Sequence, residues 1–428
     1  MVGSCREIIE KAKRKEAVVM TASEVSELVL NGQTDRLSEV DVVTTATRAV
    51  MSGTFAVLSF PVARLASFLR AKNAWINGVA AQVGPCPNEN LGILDLVVFG
   101  TAHSRDRPNY GGGHLFRDLV SGEKAIVGVE TDDGRIISKE VGLDEMPHAR
   151  LFGSRHAFKN YSAFVNAGTG PVNTIFHSRG FAPDLQEATF SGCGLVNPLK
   201  NDPLLESIGT GTRILMNGAE GYVIGTGTRS SCERPNLSGF ADMHEMVPEY
   251  MGGFVTSSGP ECICSWAVAI PVVSKTIFSE MIRPDREIPL PVNDVCSRQV
   301  IGQASYGDVW TDVDLGIEFE PDRCIACASC RVEEVCPMRA ISHKEAGLVS
   351  RDGELCFHCG ICVSLCPGKA FRCRMGSLQM RDSAGGCRSI PVVLRQSDRL
   401  RAEKLADELK RRIMNGSFEM TEPVGRIC

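Results

Sequence analysis

No uncharged run in this sequence approaches the roughly eighteen apolar residues that a membrane-spanning helix needs, so a helical membrane protein is excluded. There is no broad excess of basic charge either: charged residues make up 23% of the chain and the formal net charge is −5. Neither nucleic acid nor an anionic membrane is therefore an expected partner. The opening segment MVGSCREIIEKAKRKEAVV alternates charge with aliphatics and lacks an apolar secretory core, which predicts a cytoplasmic protein starting with a surface helix. No Walker lysine follows the glycine-rich turns, and the histidines show no i, i+4 metal pairing.

What the chain has in abundance is cysteine, 18 among 428 residues. A reducing compartment does not tolerate that many thiols without a use for them, and a secreted disulfide framework would need a signal peptide. Metal or thiol chemistry is the expectation. The length suits two or three domains, or one large domain carrying a smaller one.

The first fifteen residues and TASEVSELVLNG read as helices, the second capped by Thr21 or Ser23 and stopped by Gly32. From Asp41 to about Val268, β-branched runs such as DVVTTATR and ILDLVVFGTA alternate with Gly, Pro and Asn breakers, around short helical stretches such as HLFRDLVSGE. SKTIFSEMIR reads as a helix, and the prolines of EIPLPVNDV argue against a central strand. SIPVVLRQ reads as a strand, followed by an amphipathic helix with Ser397 as N-cap and Gly416 as stop. The helix stripe Ala402, Leu405, Ala406, Leu409 and Ile413 needs a core that a small cysteine-rich module cannot offer.

These observations predict an α+β fold: a large mixed-sheet domain over 1–314, a ferredoxin-like insertion over 315–375, and a strand and helix over 376–428 returning to the large domain. IGTGTR occurs at 208–213 and again at 224–229. A hairpin with repeated turn chemistry explains the echo; the alternative is an anion-holding nest of backbone N–H groups beside Arg213 and Arg229.

In the cysteine block, Cys356, Cys359, Cys362 and Cys366 follow C-x-x-C-x-x-C-x-x-x-C-P without deviation. Cys324, Cys327, Cys330 and Cys336 repeat it with five residues, not three, in the last gap. In two-cluster ferredoxins the fourth cysteine crosses to the other cluster, so that gap is the least constrained. The expected cofactors are two [4Fe-4S] clusters of the bacterial 2[4Fe-4S] kind. One is assigned to Cys324, Cys327, Cys330 and Cys366, the other to Cys356, Cys359, Cys362 and Cys336. Structural zinc, with thiolates in two short pairs, fits these triplets less well.

Of the other thiols, Cys86 lies between prolines in VGPCPNEN and Cys193 between glycines in SGCGL. Both are candidate catalytic thiols, provided that they are accessible as thiolates. Cys262 and Cys264 fall on one face if PECICSW is a strand, as core packing or as a thiol pair. His103 and His114 are acid–base candidates, with ordinary loop histidines the competing view.

Taken together, VDVVTTATRAVMSGTFAVLSFP, YGGGHLFRDLVSGE, ILMNGAEGYVIGTGTRSS, ADMHEMVPEYMGG and LADELKRRIMNGSFEMTEPV resemble the homocysteine-biosynthesis, sulfur-incorporation family of archaea and anaerobic bacteria. With the ferredoxin block, the whole chain is similar to methanogenesis-marker metalloproteins. The resemblance implies a sulfurtransferase converting aspartate semialdehyde to homocysteine, with cysteines as sulfur carriers and a ferredoxin-type protein or reductase as electron donor. It also implies a small-molecule substrate or sulfur donor. At the positions where the resemblance would put reactive cysteines, this chain has Met51, Ser52 and Gly53, and again none near VETDDGR. Three functions follow as expectations: reductive sulfur incorporation, an accessory or maturation role for a sulfur- or metal-containing cofactor, or an electron-transfer module on a binding domain.

Overall fold

The computed structural model describes residues 3–84, 89–156, 161–343 and 349–427. Cys86 falls outside the described residues.

The spine of the molecule is the antiparallel pair Val42–Val50 and Gly259–Pro271, in register from Val50–Ile263 to Val42–Pro271. Both strands are buried almost without interruption, so they read as continuous apolar and β-branched runs and not as alternation. Around this pair a 14-stranded mixed sheet extends, with the parallel strand Val19–Thr21 at one edge and Ile136–Val141 at the other. The hairpin Arg213–Met216 to Ala219–Thr226 belongs to this sheet. Its turn, Asn217-Gly218, has φ of 51° and 87°, as a two-residue type I′ turn requires. The IGTGTR echo is thus a hairpin. Within the hairpin, Arg213 pairs with Glu220.

The sequence did not betray a second sheet. Ala163–Val165, Ala188–Phe190, Cys387–Arg395, Ser377–Arg381, Val300–Ser305 and Pro289–Asp294 close into a barrel. Two of these strands have three residues each, too few to show a period. The segment EIPLPVNDV, read as unsuited to a central strand, supplies one of them. Of this segment, Ala163–Val165 reaches only Val292–Asp294, so Pro289 and Pro291 lie where Val300–Ser305 is the sole neighbour and their missing N–H groups cost no ladder bond there. The chain leaves the barrel after Val300–Ser305 and rejoins it at Ser377–Arg381, which pairs back through Gln303 and Arg381. The cysteine block lies between.

The C-terminal helix Arg399–Asn415 lies on the spine strands, burying Ala402, Leu405, Ala406, Leu409 and Ile413. Gly416 ends it in the left-handed region at φ 82°. Its N-cap is Asp398, not Ser397, because Ser397 still bridges Ala49 at the strand end. Near the N-terminus, Thr21 caps the helix Ala22–Leu30 with a capping box to Glu24. Among the described residues no helix is long and apolar enough to cross a membrane.

Leu405 is fully buried under this helix. Leu405→Ala should destabilise the protein by about 2–5 kcal/mol, seen as a lower denaturation midpoint. Exposed Arg411→Ala should change it by no more than about 0.5 kcal/mol. Equal effects would mean that the helix is not seated on the sheet.

Candidate functional site

The cysteine block is built as two halves with matching backbone. Arg331–Val335 and Ile361–Leu365 are short helices that end on Cys336 and Cys366 respectively. The third residue of each leading C-x-x-C, Ala326 and His358, has positive φ, 49° and 54°. So do Arg339 and Lys369, with φ of 53° at both. The five-residue gap is absorbed at the helix start. Cys330 is itself the N-cap of its helix, whereas in the other half the N-cap is Gly360 and Cys362 lies in the first turn.

Cys336, Cys356, Cys359 and Cys362 face one another. Burial first, then repulsion from the neighbouring thiols, pushes Cys359 and Cys362 well above the ordinary thiol range. Burial likewise raises Cys336 and Cys356. A close group of thiols, with Cys359 buried at its centre, whose members penalise one another's ionisation suits a multi-iron centre, whose positive charge stabilises thiolates. The other four, Cys324, Cys327, Cys330 and Cys366, are half-buried. Gly368, two residues after Cys366, packs so tightly on the chain around Cys324 that a Cβ would come within 2.6 Å of the Arg323 carbonyl oxygen. This brings the end of the second half against the start of the first.

A pocket of about 280 Å³ opens where the barrel meets the sheet. Thr47, Met51, Ser52 and Gly53 line it from the end of the spine strand, Ser191 and Gly192 from beyond Ala188–Phe190, and Gln396 and Ser397 from beyond Cys387–Arg395. Arg155 and Arg229 add two guanidinium groups, and Tyr161 and Asn197 further polar groups. No acidic residue or cysteine is among the described lining residues. Ser52 donates to Glu261 at 2.6 Å, and burial raises the Glu261 carboxyl above its ordinary range.

The pocket and the cysteine block share a wall. The Arg395 amide donates to the Cys359 carbonyl at 2.8 Å, and the next amide but no more, Gln396, already belongs to the pocket. Beneath them lies a buried ion pair, Arg48 to Asp398 at 2.7 Å, with side-chain exposures of 1% and 0%. Asp398 also accepts from Arg401 and meets His358 at 3.1 Å. Burial works to raise the Asp398 carboxyl, but Arg48, His358 and Arg401 outweigh it and hold the carboxyl below its ordinary range. Burial pulls Arg48 down to about 10, which leaves it cationic at neutral pH.

The candidate thiols fare differently. Cys193 sits directly behind the pocket, 3.8 Å from the Thr47 hydroxyl, but it is fully buried and burial pushes it up to about 11. It does not present an accessible thiolate in this conformation. Cys262 and Cys264 are buried on the spine strand, raised chiefly by burial, and pack in the core. His114 stacks on Tyr110 and accepts from the Gly111 amide, and burial lowers it to about 4. Met51, Ser52 and Gly53, where the resemblance would have a reactive cysteine, line the pocket. The second such position, on Ala125–Thr131, lies toward the far end of the sheet. Arg155, Tyr161 and Gln396 had no sequence signal, because each comes from a separate segment, Arg155 from the end of the strand His148–His156.

The family described as homocysteine biosynthesis enzyme, sulfur-incorporation, matches residues 17–420, and the chain belongs to that family. It is 44% identical over 415 residues to an uncharacterized protein of Methanothermobacter thermautotrophicus, covering 97% of this chain and 94% of that one. It is 29% identical over 321 residues to an L-aspartate semialdehyde sulfurtransferase of Methanosarcina acetivorans, covering 72% of this chain and 62% of that one. Over 70 residues, 16% of this chain and 37% of the other, it is 37% identical to an uncharacterized ferredoxin of Methanocaldococcus jannaschii. The cysteine block is thus ferredoxin-like. No solved structure gives a significant match.

Asp398→Asn leaves Arg48 buried without its counter-charge and should cost about 3–5 kcal/mol, while Arg48→Met with Asp398→Leu should recover most of the loss. Because the Asp398 carboxyl is held low in the folded state, its contribution is present above the unfolded aspartate range of about 4 and is lost as pH falls through the lower folded value. The gap in denaturation midpoint between wild type and Asp398→Asn should therefore be flat at neutral pH and narrow below about pH 4. A gap that instead widens in acid would contradict the assignment.

Native alkylation with iodoacetamide at pH 8 should modify exposed Cys232, Cys296 and Cys387 well before Cys193. Mass spectrometry showing Cys193 labelled as fast as these would mean that the pocket wall opens.

Proposed function

We propose that this protein carries two [4Fe-4S] clusters and performs a reductive sulfur incorporation on a small carboxylate-bearing aldehyde held in the pocket. What supports this reading above all is the shared wall: the Cys359 backbone is hydrogen-bonded to the residue preceding Gln396, so one thiol group lies directly behind the pocket. Cys356, Cys359, Cys362 and Cys336 hold one cluster, and Cys324, Cys327, Cys330 and Cys366 the other. Bound clusters supply electrons singly, replenished by a separate donor such as a ferredoxin or a reductase.

Aspartate semialdehyde fits the pocket chemistry. Arg155 and Arg229 receive its carboxylate, since guanidinium groups bind carboxylates through paired hydrogen bonds. Thr47 and Ser52 offer hydroxyls to the carbonyl oxygen. Glu261, protonated more readily than an exposed glutamate, holds a proton that Ser52 relays. The balance is one aldehyde, one hydrogen sulfide, two electrons and two protons to one thiol and one water. The carbon–oxygen bond breaks as water leaves, and a carbon–sulfur bond forms.

The described pocket wall has Met51, Ser52 and Gly53 in place of a sulfur-carrying cysteine, and this observation favours a second reading: an accessory protein that assembles a sulfur- or metal-containing cofactor. One experiment separates the two. Anaerobic reconstitution should give about eight irons and eight sulfides per chain, and the reconstituted protein with a low-potential reductant should form homocysteine from aspartate semialdehyde and sulfide. An iron count near four, unchanged in Cys336→Ala, refutes the ligand sets. Full clusters without homocysteine refute the substrate and leave the accessory role.

A further inference from the structure

Next to the pocket lies a larger cavity, of about 580 Å³. The two share Arg155, Tyr161 and Arg229 as a common wall. Six basic residues line the larger one, Arg155, Lys200, Arg229, Arg234, Arg283 and Arg298, against two acidic ones, Glu233 and Glu280. One of the six, Arg283, is paired with Glu280 at 3.1 Å. The lining still carries more cations than carboxylates, with Arg229, Arg234 and Arg298 among them. In a chain whose formal net charge is −5, that concentration is local and does not follow from composition.

Cations gathered in one concavity repel each other, and the low-dielectric walls sharpen their field. An anion in the cavity offsets that repulsion. Lys200 is held at the wall: its side chain is buried, and its ammonium donates to the main-chain carbonyls of Glu280 and of Arg283, the latter at 2.9 Å. Burial pulls it down to about 7, a shift that an adjacent anion reverses. The volume falls in the range of small-molecule sites and is too small for a folded partner.

We infer that this cavity is a binding site for a small polyanion, a molecule with phosphate groups or several carboxylates, seated beside the pocket across the Arg155–Tyr161–Arg229 wall. The site goes beyond the reaction proposed for the pocket and does not depend on it, because it is defined by charge and shape alone. Arginine supplies the paired donors that such groups take.

Isothermal titration of the full-length protein at physiological ionic strength tests the site, with inorganic pyrophosphate and citrate as separate probes. Arg234 and Arg298 are exposed, so Arg234→Glu and Arg298→Glu should fold, as circular dichroism would verify. Arg36→Glu, on an exposed turn elsewhere, carries the same charge change. At least one probe should bind wild type and Arg36→Glu alike and bind each cavity variant about tenfold more weakly. Pyrophosphate alone would mark a phosphate site, citrate alone a carboxylate site, and both a general polyanion site. No heat with either probe would overturn the inference, as would equal losses in Arg36→Glu and the cavity variants. Since the readout is binding without turnover, a negative homocysteine assay does not affect it.

Discussion

Arg48 and Asp398 set the arrangement on which everything else rests. A buried ion pair contributes little net stability, because desolvation consumes most of the attraction. Its value is in what it forbids. Arg48 belongs to the spine strand of the sheet, and Asp398 is the cap of the C-terminal helix. Arg48 also donates to the Glu249 carbonyl and lies over the Phe357 ring. A slip of the helix, the strand or the cysteine block would leave a charge buried alone. Three separate segments are thereby held in one register around the floor of the pocket.

Two further arginines extend the same device. Arg401, on the helix, donates to the carbonyls of Gly353, Glu354 and Cys356. Arg395, on the barrel strand, donates to Asp314 and Leu315 where the chain enters the block and to Arg374 where it leaves. A guanidinium with several donors can satisfy main-chain carbonyls from different segments at once. The block is therefore fixed at both ends and in its middle by side chains of the surrounding fold. Electron transfer falls off steeply with distance, so a ferredoxin-like unit gains most from such rigidity when it serves a site next to it.

How much of this could be read beforehand differed by element. The two cysteine runs keep matching backbone despite the five-residue gap because Cys330 itself caps its helix, where Gly360 caps the other, and the C-terminal helix showed itself through a stripe that repeats every turn. The Asn217-Gly218 hairpin was legible because turn chemistry is local. The barrel was not, because strands as short as Ala163–Val165 are defined by their partners, one of them more than a hundred residues away. Prolines misled at Pro289 and Pro291, since sequence does not say on which side a strand lacks a neighbour. The cap moved from Ser397 to Asp398 because a tertiary contact, not local preference, decides where the strand ends. Arg229 showed only through the IGTGTR echo and Arg155 through no motif: a pocket assembled from strand ends and loops has no sequence period.

The position of Met51-Ser52-Gly53 ties the chemistry to the fold. These residues end the most deeply buried strand pair and turn into the pocket, so the place is structural in origin and does not require a cysteine. Any sulfur carrier there would sit at the end of a rigid strand, across the barrel end from Gln396 and close to the Cys359 backbone. With no thiol on the described wall and Cys193 sealed behind Thr47, a sulfur delivered as a free small molecule is the route that demands least of this chain. In the reaction proposed for the pocket, the two guanidinium groups would fix a carboxylate, and the Ser52–Glu261 pair would polarise a carbonyl and carry the proton with which its oxygen leaves as water.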